Sequence, residues 1–103
     1  MDLTKYLYHI TRSFPSEEKY GLISQIRRSA LSIPSNIAEG CVRSGSKEFQ
    51  QFLAISLGSA AELKTQIILS YEIGFLAKDE YEKIKGDISE IERLLRSLKK
   101  SIT

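Results

Sequence analysis

A chain of 103 residues is long enough for one hydrophobic core and too short for two, which excludes a multidomain enzyme and predicts a single domain over residues 1–103. With 42% hydrophobic and 27% charged residues, 2 Pro and 6 Gly, it is too apolar for a disordered chain and too mixed for a fibre. The net charge of +2, from 15 Lys plus Arg against 13 Asp plus Glu, is too small to announce a nucleic-acid binder by itself.

In chain order, Leu3, Tyr6, Leu7, Ile10 and Phe14 recur at intervals of three and four and predict a first helix over about residues 2–13. Asp2, Lys5, His9 and Arg12 interrupt the apolar residues of this segment, so it does not read as a secretion signal. Strictly apolar runs elsewhere extend to only a few residues, so no membrane-spanning segment is expected. Ser16, after Phe14-Pro15, opens a second helix with Glu17 and Glu18 in its first turn, where the positive end of the helix dipole favours them. Ile23, Ile26, Ala30, Ile33 and Ile37 continue its core face. Pro34 removes the hydrogen bond to the carbonyl of Ala30, yet the apolar spacing keeps phase on both sides, which predicts one kinked helix rather than two.

Residues 41–45 have the polar, Gly-containing chemistry of a helix–helix turn, and Ser46 is placed to cap the third helix. Phe49, Phe52, Leu53, Leu57, Ala60, Leu63, Ile67 and Tyr71 mark its core face over about 27 residues, until Gly74 offers a left-handed terminus. The small residues of the Ser56-Leu57-Gly58-Ser59-Ala60-Ala61 run admit a closely packed neighbour. Asp79 and Glu82 signal the start of a fourth helix over about residues 80–101, whose seam is Tyr81, Ile84, Ile88, Ile91, Leu95, Leu98 and Ile102. The expected fold is therefore all-α, an up-down-up-down four-helix bundle with a short first helix and a Pro-kinked second helix. At 1.5 Å per residue the first helix spans about 18 Å against roughly 40 Å for the next two. Apolar surface left open in this way predicts self-association.

On the second helix, Gln25, Arg28, Ser32, Asn36, Glu39 and Arg43 fall within roughly 80° of one another, away from the isoleucines. Glu39 precedes Arg43 by four, the favourable order for an ion pair. The ridge reads either as a solvated face or as a hydrogen-bonding seam toward another subunit, a partner or a polyanion. Arg27 projects away from it, so the Arg27–Arg28 pair could serve two surfaces.

Residues 93–103 carry Arg93, Arg96, Lys99 and Lys100 and no acid, whereas residues 72–92 are acidic on balance. This polarity either complements the helix dipole or binds phosphate, and in an oligomer each basic end is repeated, so that a modest chain charge becomes a strong local field. Enzyme signatures such as H-E-x-x-H, G-x-S-x-G or a phosphate-binding glycine loop are absent, so no catalytic residue, metal site or cofactor is expected. His9 reads as a packing or surface residue. The single cysteine, Cys41, lies at the negative end of a helix, which disfavours a thiolate, and suits a reducing cytoplasm.

Three segments carry a resemblance: FPSEEKYGL, QIRRSALSIPSNIAEGCVRSGSKEF and FLAISLGSAAELKTQIILSYEIGFL. They resemble the four-helix-bundle proteins encoded in intervening sequences of bacterial 23S ribosomal RNA genes, a family to which the accessory variability determinant of diversity-generating retroelements is also similar. The resemblance spans residues 14–76 and touches Arg27, Arg28, Ser32, Asn36, Glu39, Gly40, Arg43, Phe52, Gly58, Ser59 and Glu62 as signature positions. It implies an up-down-up-down bundle assembling as a homopentamer, with a basic surface toward nucleic acid. In the retroelement branch it implies a reverse-transcriptase partner. Members of the family commonly begin with a further aromatic-bearing helical turn, so Met1 falls inside the expected first helix. Ser29, Ser56 and Ser70 stand where Ala is more usual.

The functional expectation is a non-enzymatic homo-oligomeric module binding RNA or DNA, with Arg27, Arg28, Arg43, Lys47, Arg93, Arg96, Lys99 and Lys100 as candidate contacts. The rival expectation is a protein-interaction scaffold using the ridge of Gln25, Arg28, Ser32, Asn36 and Glu39.

Overall fold

The computed structural model describes residues 2–43 and 45–102. Four α-helices follow one another as α1 (Asp2–Ile10), α2 (Leu22–Cys41), α3 (Ser46–Glu72) and α4 (Lys78–Ser101), packed into a bundle 43 × 24 × 19 Å. Leu7 of α1, Ile26 and Ile33 of α2, Leu53, Leu63 and Ile67 of α3, and Ile84 and Ile88 of α4 are completely enclosed in one core. The three- and four-residue spacing of these positions puts each set on one helical face, which is why burial and periodicity coincide.

The first two junctions differ from the sequence expectation. α1 ends at Ile10, and residues Thr11–Ser13 tighten into a 3₁₀ turn in which the Thr11 hydroxyl donates to the Leu7 carbonyl at 2.7 Å. Phe14 is extended because Pro15 disfavours the helical conformation of the residue before it. The second helix begins at Leu22, not Ser16: residues Ser16–Glu18 form a separate 3₁₀ turn, and Gly21 breaks the path with φ −107° and ψ −107°. Glu18 still serves the helix start, since the Leu22 N–H donates to its Oε1 at 3.4 Å. Glu18 thus acts on the helix start from the preceding turn and not from within the helix.

α2 runs unbroken through Pro34. What the structure establishes there is continuity, with Ile33 and Ala30 buried against α3 and the buried Ser56 hydroxyl donating to the Ile33 carbonyl at 3.0 Å. A proline inside a helix costs about 3 kcal/mol, and this packing offsets it.

α3 begins after Gly45, which occupies the cap position, so Ser46 lies within the helix and supplies no side-chain cap. The other end matches expectation. Gly74 takes φ +89°, and the N–H groups of Phe75 and Gly74 return to the carbonyls of Ser70 at 2.9 Å and Tyr71 at 3.1 Å. This pairing satisfies two carbonyls that a helix end leaves open and requires a left-handed residue. Gly74→Ala should therefore lower stability by about 1–2 kcal/mol, readable in a urea titration as an earlier midpoint with unchanged slope. α3 is apolar around much of its circumference: an 18-residue window has a mean hydropathy of 1.3, enough by length and composition to cross a membrane, and here the helix has its buried face in the bundle core.

α4 starts at Lys78, two residues before the Asp79–Glu82 signal would place it, with the Ala77 N–H donating to Glu80 Oε1 at 2.9 Å. Its seam is as expected through Ile84, Ile88 and Leu95, but Leu98 is exposed. The nine residues of α1 explain this, because they reach only the level of Ile91 and Leu94, where Asp2 and Leu3 meet α4 across an open recess. Beyond it Leu94 is 63% and Leu98 39% exposed. Lys83 fastens the covered part: its ammonium donates to Asp87 Oδ2 at 3.0 Å and lies 4.7 Å from the Tyr6 ring centre. The hydrogen bond from Lys83 to Asp87 raises the lysine pKa above its ordinary value, so this contact is complete below the usual lysine range and fades as pH rises through the raised value.

Candidate nucleic-acid interface

The antiparallel run of α3 and α4 sets the basic last turns of α4 beside the first turns of α3. There Lys47, Gln50, Gln51, Ala54 and Lys99 line a recess of about 270 Å³, and Gln50, Leu57, Arg96, Lys99 and Lys100 line an adjoining one of about 460 Å³. The two share Gln50 and Lys99, which makes them one furrow. Gln50 Nε2 donates to the Lys99 carbonyl at 3.4 Å, so an amide side chain also satisfies part of the α4 terminus. Four of the eight candidate cations are thus brought together: Lys47, Arg96, Lys99 and Lys100. The C-terminal end of α4 favours Arg96, Lys99 and Lys100 electrostatically, Lys47 joins them from the first turn of α3, and the same charges can face an anion.

The other four sit elsewhere. Arg93 lines a shallow recess with Glu90, Leu94 and Ser97. Arg43 is at the furrow end of the bundle but pairs with Glu39, four residues earlier, and lies 5.4 Å from the Phe52 ring. Arg27 turns toward α1, donating from Nε to Thr11 Oγ1 at 3.0 Å and from Nη2 to the Tyr8 carbonyl at 3.2 Å. Arg28 donates to Gln25 Oε1 at 2.6 Å. Fifteen residues separate Arg28 from Arg43, about 22 Å along a helix, so the eight cations do not form one surface.

The α2 ridge resolves into three local contacts. Gln25 pairs with Arg28, Asn36 donates to the Ser32 carbonyl at 2.8 Å and to its hydroxyl at 3.0 Å, and Glu39 pairs with Arg43. At its middle the ridge meets α3, where the Ser32 and Ser59 hydroxyls are 2.7 Å apart. Part of the ridge is therefore occupied within the chain, while Gln25, Arg28 and Glu39 stay exposed. Gln50 and Gln51 are residues that the sequence reading missed; their signal is the position one turn after Lys47, opposite a basic helix end.

Among the described residues no three His, Cys, Asp or Glu side chains gather as a metal-binding group. His9 and Cys41 are both exposed, at the ends of α1 and α2 respectively.

Fold and furrow define a class: an antiparallel four-helix bundle with a short first helix and a basic furrow between its last two helices. Residues 1–97 match the 23S rRNA-intervening sequence proteins, and the chain belongs to that family. A solved structure from Bacteroides thetaiotaomicron VPI-5482, described as a protein with unknown function from the S23 ribosomal protein family, is similar with a TM-score of 0.83 at 29% identity, over 94% of this chain and 88% of that one. No match is found among curated proteins.

Proposed function

We propose that the protein is a non-enzymatic, cytoplasmic homo-oligomeric module, as a ring of about five chains in keeping with the family resemblance, that holds RNA or DNA through the furrow between α3 and α4. The observation that carries the reading is the convergence of Lys47, Arg96, Lys99 and Lys100 on one groove whose lining contains no acid. Two amides, Gln50 and Gln51, accompany them and suit hydrogen bonding to phosphate and sugar. Leu94 and Leu98, uncovered beside the end of α1, support self-association, since a monomer seldom leaves such residues adjacent and open. Repetition of the furrow around an assembly multiplies a field that one chain supplies weakly.

The test is a filter-binding titration with structured RNA and duplex DNA at several salt concentrations. Four phosphate contacts predict a slope of about −3.6 for log affinity against log salt on duplex DNA, and Arg96→Gln with Lys99→Gln should flatten it by about 1.8. Absence of salt-sensitive binding would remove the reading. The second reading, a scaffold for a protein such as a reverse transcriptase, is favoured by the exposed apolar residues of α3 and α4, Ile55 and Leu94 among them. Recovery of a protein partner undiminished by the same double substitution would select it.

A further inference from the structure

At the other end of α2, where the turn of residues 19–21 passes α1, an open cleft of about 490 Å³ has Tyr8, Lys19, Tyr20, Ile23, Arg27 and Arg28 in its lining. We infer that this cleft is a second, separate binding site, for an unpaired nucleotide of a single-stranded segment: a base stacked on Tyr20 with its phosphate among Lys19, Arg27 and Arg28.

Three observations carry this. First, Tyr20 is 87% exposed, a large aromatic side chain left in water with the Lys19 ammonium 5.6 Å from its ring centre. Single exposed aromatics are ordinary, but this one lines a concave site with a second tyrosine and an apolar floor at Ile23. Second, the three cations have no acid among the lining residues, and among the described residues none of them forms an ion pair. Arg28 donates only to a neutral amide, Gln25, so its charge remains uncompensated. Third, Arg27 is fixed. It lies 4.7 Å from the Tyr8 ring centre while bonding Thr11 and the Tyr8 carbonyl, so ring and guanidinium are held together before any ligand arrives.

The chemistry selects the ligand. An acidic peptide would use the cations and leave Tyr20 idle, whereas a nucleotide engages both a π-face and an anion. Stacking is indifferent to which base it meets, so the site is expected to prefer unpaired over paired segments and to show little sequence preference. The cleft lies apart from the α3–α4 furrow and shares none of its residues. It therefore depends on the nucleic-acid reading for its biological setting only, not for its geometry.

The probe is a fluorescently labelled pentauridylate, titrated with the whole chain by anisotropy; the intrinsic signal of the five tyrosines, undisturbed because the chain has no Trp, reports contact independently. Tyr20→Leu should weaken binding about tenfold or more with the salt slope unchanged, since it removes a stacking face and no charge. Tyr20→Phe should restore it. Arg28→Gln should reduce the slope by about 0.7, the single-strand value for one phosphate. Arg96→Gln with Lys99→Gln removes whatever share of pentauridylate binding the furrow contributes, and the Tyr20→Leu loss should persist in that background. Wild-type affinity in Tyr20→Leu, equal weakness of the Leu and Phe variants, or equally effective competition by a glutamate peptide of matching charge would overturn the inference. Absence of pentauridylate binding beside intact binding of structured RNA would overturn it while sparing the furrow, and the reverse pattern would do the opposite.

Discussion

Ile88→Asp is expected to leave the chain without a cooperative thermal transition. Ile88 is completely buried at the centre of α4, four residues from the equally buried Ile84 and seven from Leu95. Removing the aliphatic side chain alone costs about 2–5 kcal/mol by analogy with large-to-small core changes. An unpaired carboxylate in its place adds several kcal/mol more, against a total stability of about 5–15 kcal/mol for a domain of this kind. Lys64, which pairs with α4 one turn along, is already engaged with Glu92 Oε1 at 3.4 Å. Far-UV circular dichroism on heating is the measurement, with Ile88→Val, expected to cost only about 1 kcal/mol, as the control for a conservative change. A helical, soluble Asp variant melting with the parent would show that this face is not the core.

Gly40→Ala is expected to destabilise even though alanine is the better helix former. A Cβ at Gly40 would lie 2.8 Å from Phe49 Cδ1 and 2.9 Å from Phe52 Cβ. The Phe49 ring can swing aside, but the Phe52 Cβ is fixed to the backbone of α3, so the two helices must part. Overpacking of this sort costs about 1–3 kcal/mol and outweighs the gain of about 1 kcal/mol in propensity. Gly58→Ala supplies the contrast, because nothing lies within 4 Å of a Cβ there and the same change should stabilise by about 0.5–1 kcal/mol. Thermal midpoints should therefore move in opposite directions, each by several degrees for every kcal/mol in a domain of this size. A rise for both would mean that α2 and α3 do not depend on the close approach at Gly40.

The long helices were legible because their burial is periodic. Ile23, Ile26, Ala30 and Ile33 on α2, and Ile84, Ile88 and Leu95 on α4, announce an inward face by spacing alone. Helix starts were less legible. Ser16, Ser46 and Asp79 have cap chemistry, yet the chain uses Gly21, Gly45 and Ala77 at those positions. Cap propensity is worth about 1 kcal/mol, and the geometry of a preceding turn overrides it readily. Buried polar positions were hidden for a different reason. Ser56, Ser59 and Glu92 are buried because each finds a partner on a neighbouring helix, and such partners are distant in sequence. The same holds for the candidate sites: the charge of residues 93–103 is visible as a run, but its conjunction with Lys47 and Gln50 exists only once α3 and α4 lie side by side.

The unequal lengths of the helices also bear on the order in which the bundle assembles. α2 and α3 are joined by residues 42–45 alone and meet along Gly40, Ser32, Ser59 and Ser56, so their contacts are local and need little loop closure. α1 contributes nine residues and is held by a few fastenings, among them Arg27 and Lys83. The α2–α3 hairpin is therefore the expected folding nucleus, and α1 the last element to dock. Gly40→Ala should slow refolding, whereas Leu7→Ala should chiefly accelerate unfolding, and amide exchange should release α1 before the other helices. Docking of the first helix then completes the core, closing Leu3, Leu7 and Ile10 against the other helices as the expected last step.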